Sequence, residues 1–153
     1  MLAKLTYFQT FNQRIMITML RISSLFCYAV GLMYLALGIW CALSPEKTSA
    51  VVGFKLIGGA GKSEFLTVYG GLEIGMGMTF LLPLWGKRFL AYTLLVCVLI
   101  HANLVVFRTI SFVCYGDIGA GTYKLAIGEW VIFITGIVLY RALHKSPTFN
   151  ANQ

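Results

Sequence analysis

Ile22-Ser23-Ser24-Leu25-Phe26-Cys27-Tyr28-Ala29-Val30-Gly31-Leu32-Met33-Tyr34-Leu35-Ala36-Leu37-Gly38-Ile39-Trp40-Cys41-Ala42-Leu43 runs without a single charged side chain. A helix needs about 20 mostly apolar residues to cross the hydrocarbon core of a bilayer, so this run predicts a transmembrane helix. Three more stretches read the same way. Phe65 to Leu82 carries only Glu73, and Phe89 to Phe107 carries His101. Tyr123 to Tyr140 holds Glu129 inside and Lys124 at its edge, where the lysine stem can carry its charge to the headgroups. The expected fold is all-α, a polytopic four-transmembrane-helix bundle. Composition agrees: 59% of the 153 residues are hydrophobic and 11% are charged, against about 25% charged in an ordinary soluble domain. Mean hydropathy is +0.83. A soluble chain of this length has too little interior to hide so much apolar surface. The length also excludes a large multi-domain enzyme.

The division expected is an amphipathic N-terminal flank at 1–21, the four-helix domain at 22–141 and a polar C-terminal tail at 142–153. Phe11-Asn12-Gln13-Arg14 is too polar for the apolar part of a cleaved signal. Pro83 to Arg88 reads as a tight turn, broken by Pro83 and Gly86. Ser44-Pro45-Glu46 reads as a helix start, with Ser44 as cap and Pro45 at the first helical position. The segment it opens is expected to be a short amphipathic or re-entrant helix, ended by Gly58-Gly59-Ala60-Gly61. Arg108 to Thr122, rich in glycine, is expected to be a structured loop.

Net charge is +7, from twelve Lys/Arg and five Asp/Glu. In an apolar chain this balance points to flanks resting on anionic lipid rather than to nucleic acid. With the N-terminus inside, Lys4, Arg14, Arg21, Lys87, Arg88, Arg141 and Lys145 face the cytoplasm. Lys47, Lys55, Lys62, Arg108 and Lys124 face outward. The excess of basic residues on the first side orients both termini to the cytoplasm, and a bacterial inner (plasma) membrane is the expected location.

Ionisable groups inside apolar spans are costly, about 2.5 to 3.5 kcal/mol each on insertion scales, and are functional candidates for that reason. Glu73 falls near the middle of its span. Glu129 and His101 fall about 5 Å to the outer side of the midplane at 1.5 Å per residue. Arg108 follows His101 by seven residues, on the same helix face, and Asp117 lies in the outer loop. Arg108 is the natural counter-ion for Glu73, Glu129 or Asp117. Such a network is either a static bridge pinning helices together or a ligand, ion or proton site. Gly71 and Gly75 form a small-xxx-small pair for close helix packing. Gly70 and Gly77 flank Glu73 on the other face, with Tyr69 and Met76. Cys27, Gly31, Tyr34, Gly38 and Cys41 form a matching stripe in the first span. A pocket lined by Tyr69 and Tyr34 beside Glu73 is a sharper reading of the same residues.

Nothing points to a metal, a cofactor or a catalytic residue. Cys27, Cys41, Cys97 and Cys114 contain no C-x-x-C, although Cys41 and Cys114 both fall near the outer side and a disulfide between them is open. His101 is the one histidine in a span and His144 lies in the tail, so one chain offers no pair of haem ligands. Gly58-Gly59-Ala60-Gly61-Lys62-Ser63 lacks the spacing and the preceding strand of a phosphate loop.

Glu64-Phe65-Leu66-Thr67-Val68-Tyr69-Gly70-Gly71-Leu72-Glu73-Ile74-Gly75-Met76-Gly77 resembles the signature of domain-of-unknown-function family 4345, small four-helix membrane proteins loosely similar to DoxX-like proteins. Leu37 to Glu46 resembles that family's opening. Arg108, Ser111, Asp117-Ile118-Gly119 and Glu129 resemble its second half, with Ile118 interrupting the Asp-Gly pair. The resemblance covers Cys27 to Tyr140. It implies the four-helix topology and picks out Glu64, Tyr69, Glu73, Arg108, Asp117 and Glu129, without implying a reaction.

Three functions compete. The first is an accessory or assembly subunit, partnered by other membrane subunits or a second copy, with a buried Glu/Arg network. The second is a small transporter or lipophile-binding protein using the intramembrane carboxylates. The third is a quinone- or lipid-linked membrane enzyme using His101 and the tyrosines.

Overall fold

The computed structural model describes residues 2–144, with side chains from Gln13 onward. From residue 145 the expected polar tail lies outside the described residues, as does the Lys4 side chain. The described chain is helical and holds no strand. Helix α1 runs Leu2–Leu43, α2 Pro45–Val51, α3 Gly58–Phe65 and α4 Glu73–Phe80; a π-helical stretch, Leu66–Leu72, joins α3 to α4. Helix α5 runs Leu90–Cys114 and α6 Ala120–His144. Four stretches are long and apolar enough to cross a membrane: Gln13–Leu43, Gly58–Leu84, Lys87–Cys114 and Ala120–His144.

Several boundaries differ from the sequence reading. Residues 2–21 form no separate helix but continue into the first apolar run. The glycines at 58–61 begin α3 rather than ending α2. Helix α2 ends instead at Gly53, whose φ of +79° suits a residue without Cβ. There the Gly53 N–H donates to the Ala50 carbonyl at 3.1 Å and the Phe54 N–H to the Ser49 carbonyl at 2.8 Å, the paired bonds of a Schellman stop. Ser44 precedes Pro45 as expected, but its side chain caps nothing. Its carbonyl does that work, accepting from the Thr48 N–H at 3.0 Å and the Thr48 hydroxyl at 2.9 Å. Arg108 is helical, not in a loop, and the connection shrinks to residues 115–119. Asp117 takes φ +56° there, a conformation that Asp tolerates better than most residues.

Helix α1 packs chiefly along α4 and the π-helical stretch, and α5 along α6. Glycines set the first contact. Gly31 faces Gly77, and Gly38 faces Gly70, with seven residues between the pairs on each antiparallel helix. A Cβ on Gly77 would stand 2.7 Å from Leu35 Cγ and 2.9 Å from the Gly31 carbonyl oxygen. A Cβ on Gly38 would stand 2.9 Å from the Gly70 carbonyl oxygen. The backbones therefore touch where side chains would hold them apart. Gly71 and Gly75 do not share this contact: both face away from the bundle, with nothing within 4 Å of an added Cβ. The first-span stripe of Cys27, Gly31, Tyr34, Gly38 and Cys41 is buried throughout.

The two helical hairpins share their apolar clusters at one end. Cys27, Leu90, Leu94, Leu139 and Leu143 form an apolar cluster near the Pro83–Arg88 turn. Val30, Tyr34, Phe80 and Cys97 form a second cluster beside it. Toward the opposite end, which carries α2 and the 115–119 loop, the hairpins separate. The N-terminal turn of α6 meets α2 there: a Cβ on Gly121 would stand 2.7 Å from the Val51 carbonyl oxygen.

Candidate functional site

Where the hairpins separate they leave an open-sided cavity of about 810 Å³. Its wall is mostly aliphatic, with Met33, Leu37, Met76, Leu99 and Ile132 among its members. Set into that wall are Tyr34, Tyr69, Glu73, Asn103, Arg108, Lys124 and Glu129. Pockets of this size, apolar with a few polar groups, are the usual form of small-molecule sites.

The ionisable residues sort into three states. Arg108 and Glu129 close on each other. Arg108 Nε donates to Glu129 Oε2 at 3.0 Å, and Nη2 donates to Oε1 at 2.5 Å. The two side chains are 25% and 13% exposed, so the pair is a mostly buried, two-pronged clamp of α5 onto α6. Glu73 stays outside that clamp. Its Oε2 is buried without a hydrogen-bond partner, while the residue lines the cavity. Asp117 lies exposed in the loop and joins neither.

His101 sits beneath the cavity wall, fully buried. Nδ1 lies 2.8 Å from the Cys97 carbonyl oxygen and Nε2 lies 3.1 Å from the Tyr34 hydroxyl. A carbonyl only accepts, so in the neutral ring Nδ1 donates and Nε2 accepts from Tyr34. Phe80 and Tyr34 pack around the ring at 6.2 and 5.8 Å between centroids. His101 thus fixes the orientation of Tyr34, which does face the cavity.

The π-helical stretch ends immediately before Glu73. Such stretches are rare and often mark functional sites. Here it coincides with a division of labour along one helix. Gly70 and Gly77 turn to α1, while Tyr69, Leu72, Glu73 and Met76 turn to the cavity. Tyr69 also lines a second cavity, of about 470 Å³, shared with Glu64 and with Phe54 and Lys55 from the segment after α2.

Two polar lining residues did not emerge from the sequence as site candidates. Asn103 is an amide inside an apolar run, a signal that was available. Its side-chain amide donates to the Leu99 carbonyl at 2.9 Å. Lys124 reads from the sequence as a span edge, and the structure adds it to the cavity lining. Among the described residues, Cys41 and Cys114 are free thiols, the first buried and the second exposed. No group of three or more His, Cys, Asp or Glu among the described residues could hold a metal ion. No family model, no curated protein and no solved structure matches the chain.

Proposed function

We propose that this is an integral membrane protein that binds an amphiphile in the cavity between its helical hairpins, with Glu73 as the polar anchor. The supporting observation is the buried, unpartnered Glu73 Oε2 in the wall of an 810 Å³ cavity. A buried carboxyl oxygen without a partner is costly, and a ligand hydroxyl or amine would satisfy it. The aliphatic wall suits the ligand's apolar body. A scaffolding role alone is served by the Arg108–Glu129 clamp and the glycine contacts, and leaves both the cavity and Glu73 without a purpose. In this reading both termini face the cytoplasm, and the cavity belongs to the outer half of the bilayer.

The test is lipid extraction and mass spectrometry of protein purified in mild detergent. Wild-type protein should carry about one equivalent of a specific amphiphile. Glu73→Gln should weaken retention. Gly128→Phe should abolish it, since Gly128 lines the cavity and a Cβ there meets nothing within 4 Å. Equal retention by wild type and Gly128→Phe refutes binding in this cavity.

A further inference from the structure

The 470 Å³ cavity is separate chemistry from the larger one, yet the two share Tyr69 as a wall. Its frame is built from local contacts. The segment after α2 leaves the Schellman stop at Gly53, and it enters α3 at Gly58, whose φ is +60°. Between them Phe54 docks edge-on against two rings of the second apolar stretch. Phe65 and Tyr69 stack at 4.7 Å with planes 16° apart. Phe54 stands at 89° to Phe65 and 73° to Tyr69, with centroids at 6.4 and 5.5 Å. All three rings line the cavity.

Two charges of opposite sign border this aromatic corner: Lys55 and Glu64. The ion pairs among the described residues join other groups, Lys62 to Glu46 and Arg108 to Glu129. Aromatic faces attract ammonium groups, most strongly where water is excluded. A carboxylate in the same lining adds to that attraction, and a lysine in that lining suits a phosphate. The corner therefore offers one place for a cation and one for an anion, with no net charge. A head bearing only a phosphate would meet the Glu64 carboxylate uncompensated.

We infer that this second cavity receives the zwitterionic, ammonium-and-phosphate headgroup of a membrane phospholipid, at a site beside the larger cavity. The inference adds to the amphiphile-binding reading a second site, one that does not use Glu73. The ammonium sits against the Phe54–Phe65–Tyr69 corner and Glu64, and the phosphate sits on Lys55. When the four apolar stretches span the bilayer, the helical end carrying this cavity reaches a headgroup layer, so the site lies at a depth such heads occupy.

The experiment uses full-length protein in nanodiscs made from equal amounts of phosphatidylethanolamine and phosphatidylglycerol with identical acyl chains. Lipids retained after ejection are counted by native mass spectrometry. Wild type should retain the zwitterionic lipid about three- to tenfold over the anionic one, the range that one ammonium–aromatic contact plus one partly exposed charge contact gives. Glu64→Gln should bring the ratio close to one. Lys55→Gln should lower retention of both lipids and keep their ratio. Gly71→Ala, on the open face of the bundle, should match wild type. A wild-type ratio of one or below, or a ratio unmoved by Glu64→Gln, overturns the headgroup assignment while amphiphile binding stands. Loss of all lipid from wild type refutes amphiphile binding itself.

Discussion

Breaking the clamp between Arg108 and Glu129 separates a real buried ion pair from an incidental one. The pair is two-pronged, at 3.0 and 2.5 Å. Removing one member of a buried pair costs about 3–5 kcal/mol, because it strands the other charge. The side chains are 25% and 13% exposed, so solvent relieves part of this and the lower figure, about 3 kcal/mol, applies to Arg108→Met and to Glu129→Leu alone. For a protein of this size each kcal/mol moves the unfolding midpoint by about 2–4 °C, which puts each single variant about 6–12 °C below wild type. The double variant strands no charge and fills the same volume with apolar atoms. It should cost about 0–1 kcal/mol. Reversible unfolding in mixed micelles measures all three. If the double variant costs the sum of the two singles to within about 0.5 kcal/mol, the residues act independently, and the clamp does not hold α5 to α6.

The glycine contact gives an opposed pair of substitutions. Gly77→Ala drives a Cβ to 2.7 Å from Leu35 Cγ and 2.8 Å from the Leu35 backbone nitrogen, and should cost about 1–3 kcal/mol; Gly71→Ala meets open space and should be neutral or stabilising by up to about 1 kcal/mol through helix propensity. Equal midpoints for the two would contradict the register of α1 on α4. Tyr34→Phe leaves the fully buried His101 Nε2 without its donor and should cost about 1–3 kcal/mol by the same assay; an unchanged midpoint would show the bond to be dispensable. Maleimide should label Cys114 rapidly and leave Cys41 protected until unfolding, and a mobility shift on adding reductant would reveal the disulfide that the structure lacks. Lys62, hydrogen-bonded to Glu46 at 2.8 Å, holds the Glu46 carboxyl below the usual carboxylate range. The link between α2 and α3 therefore contributes above the unfolded glutamate pKa and fades as pH falls through the folded value. Exchange protection of α2 should drop on acidification in wild type and stay level in Glu46→Gln.

What the sequence made legible followed from solvent. Long apolar runs, one of them without a charge and the others nearly so, locate the four long helices. The first-span stripe from Cys27 to Cys41 was legible because it repeats at helical spacing. Gly71 and Gly75 misled for a related reason. Small-xxx-small spacing states that two helices can approach, but not which face the neighbour occupies. The structure answers that: Gly70 and Gly77 pack on α1, and Gly71 and Gly75 stay open. Nothing in Leu66–Leu72 announces a π-helix, since its bonding pattern answers to tertiary packing. The partner of Arg108 was likewise open among Glu73, Glu129 and Asp117. The structure gives Arg108 to Glu129 on the neighbouring α6, while Glu73 lies on the other hairpin and Asp117 is exposed in the loop.

That selection bears on how the site stays available. Arg108 carries a full charge at any working pH, so an unpaired guanidinium in the cavity wall would attract Glu73 and draw the two hairpins together. Glu129 occupies both Nε and Nη2 from the same hairpin. The strongest electrostatic attraction in the region is thus satisfied within the α5–α6 pair, and none of it is left to close the space between hairpins. Glu73, on the opposite hairpin, keeps its oxygen free. Closure is resisted further at both ends, by the Leu90–Leu94–Leu139–Leu143 cluster at one and by the Val51–Gly121 contact at the other. The cavity is then a product of where the attractions are satisfied, and exchanging Glu129 with Gln should let Arg108 reach toward Glu73 and reduce ligand retention even though Glu129 itself contributes no free group to the ligand. Retention equal to wild type in Glu129→Gln would refute this account of why the cavity stays open.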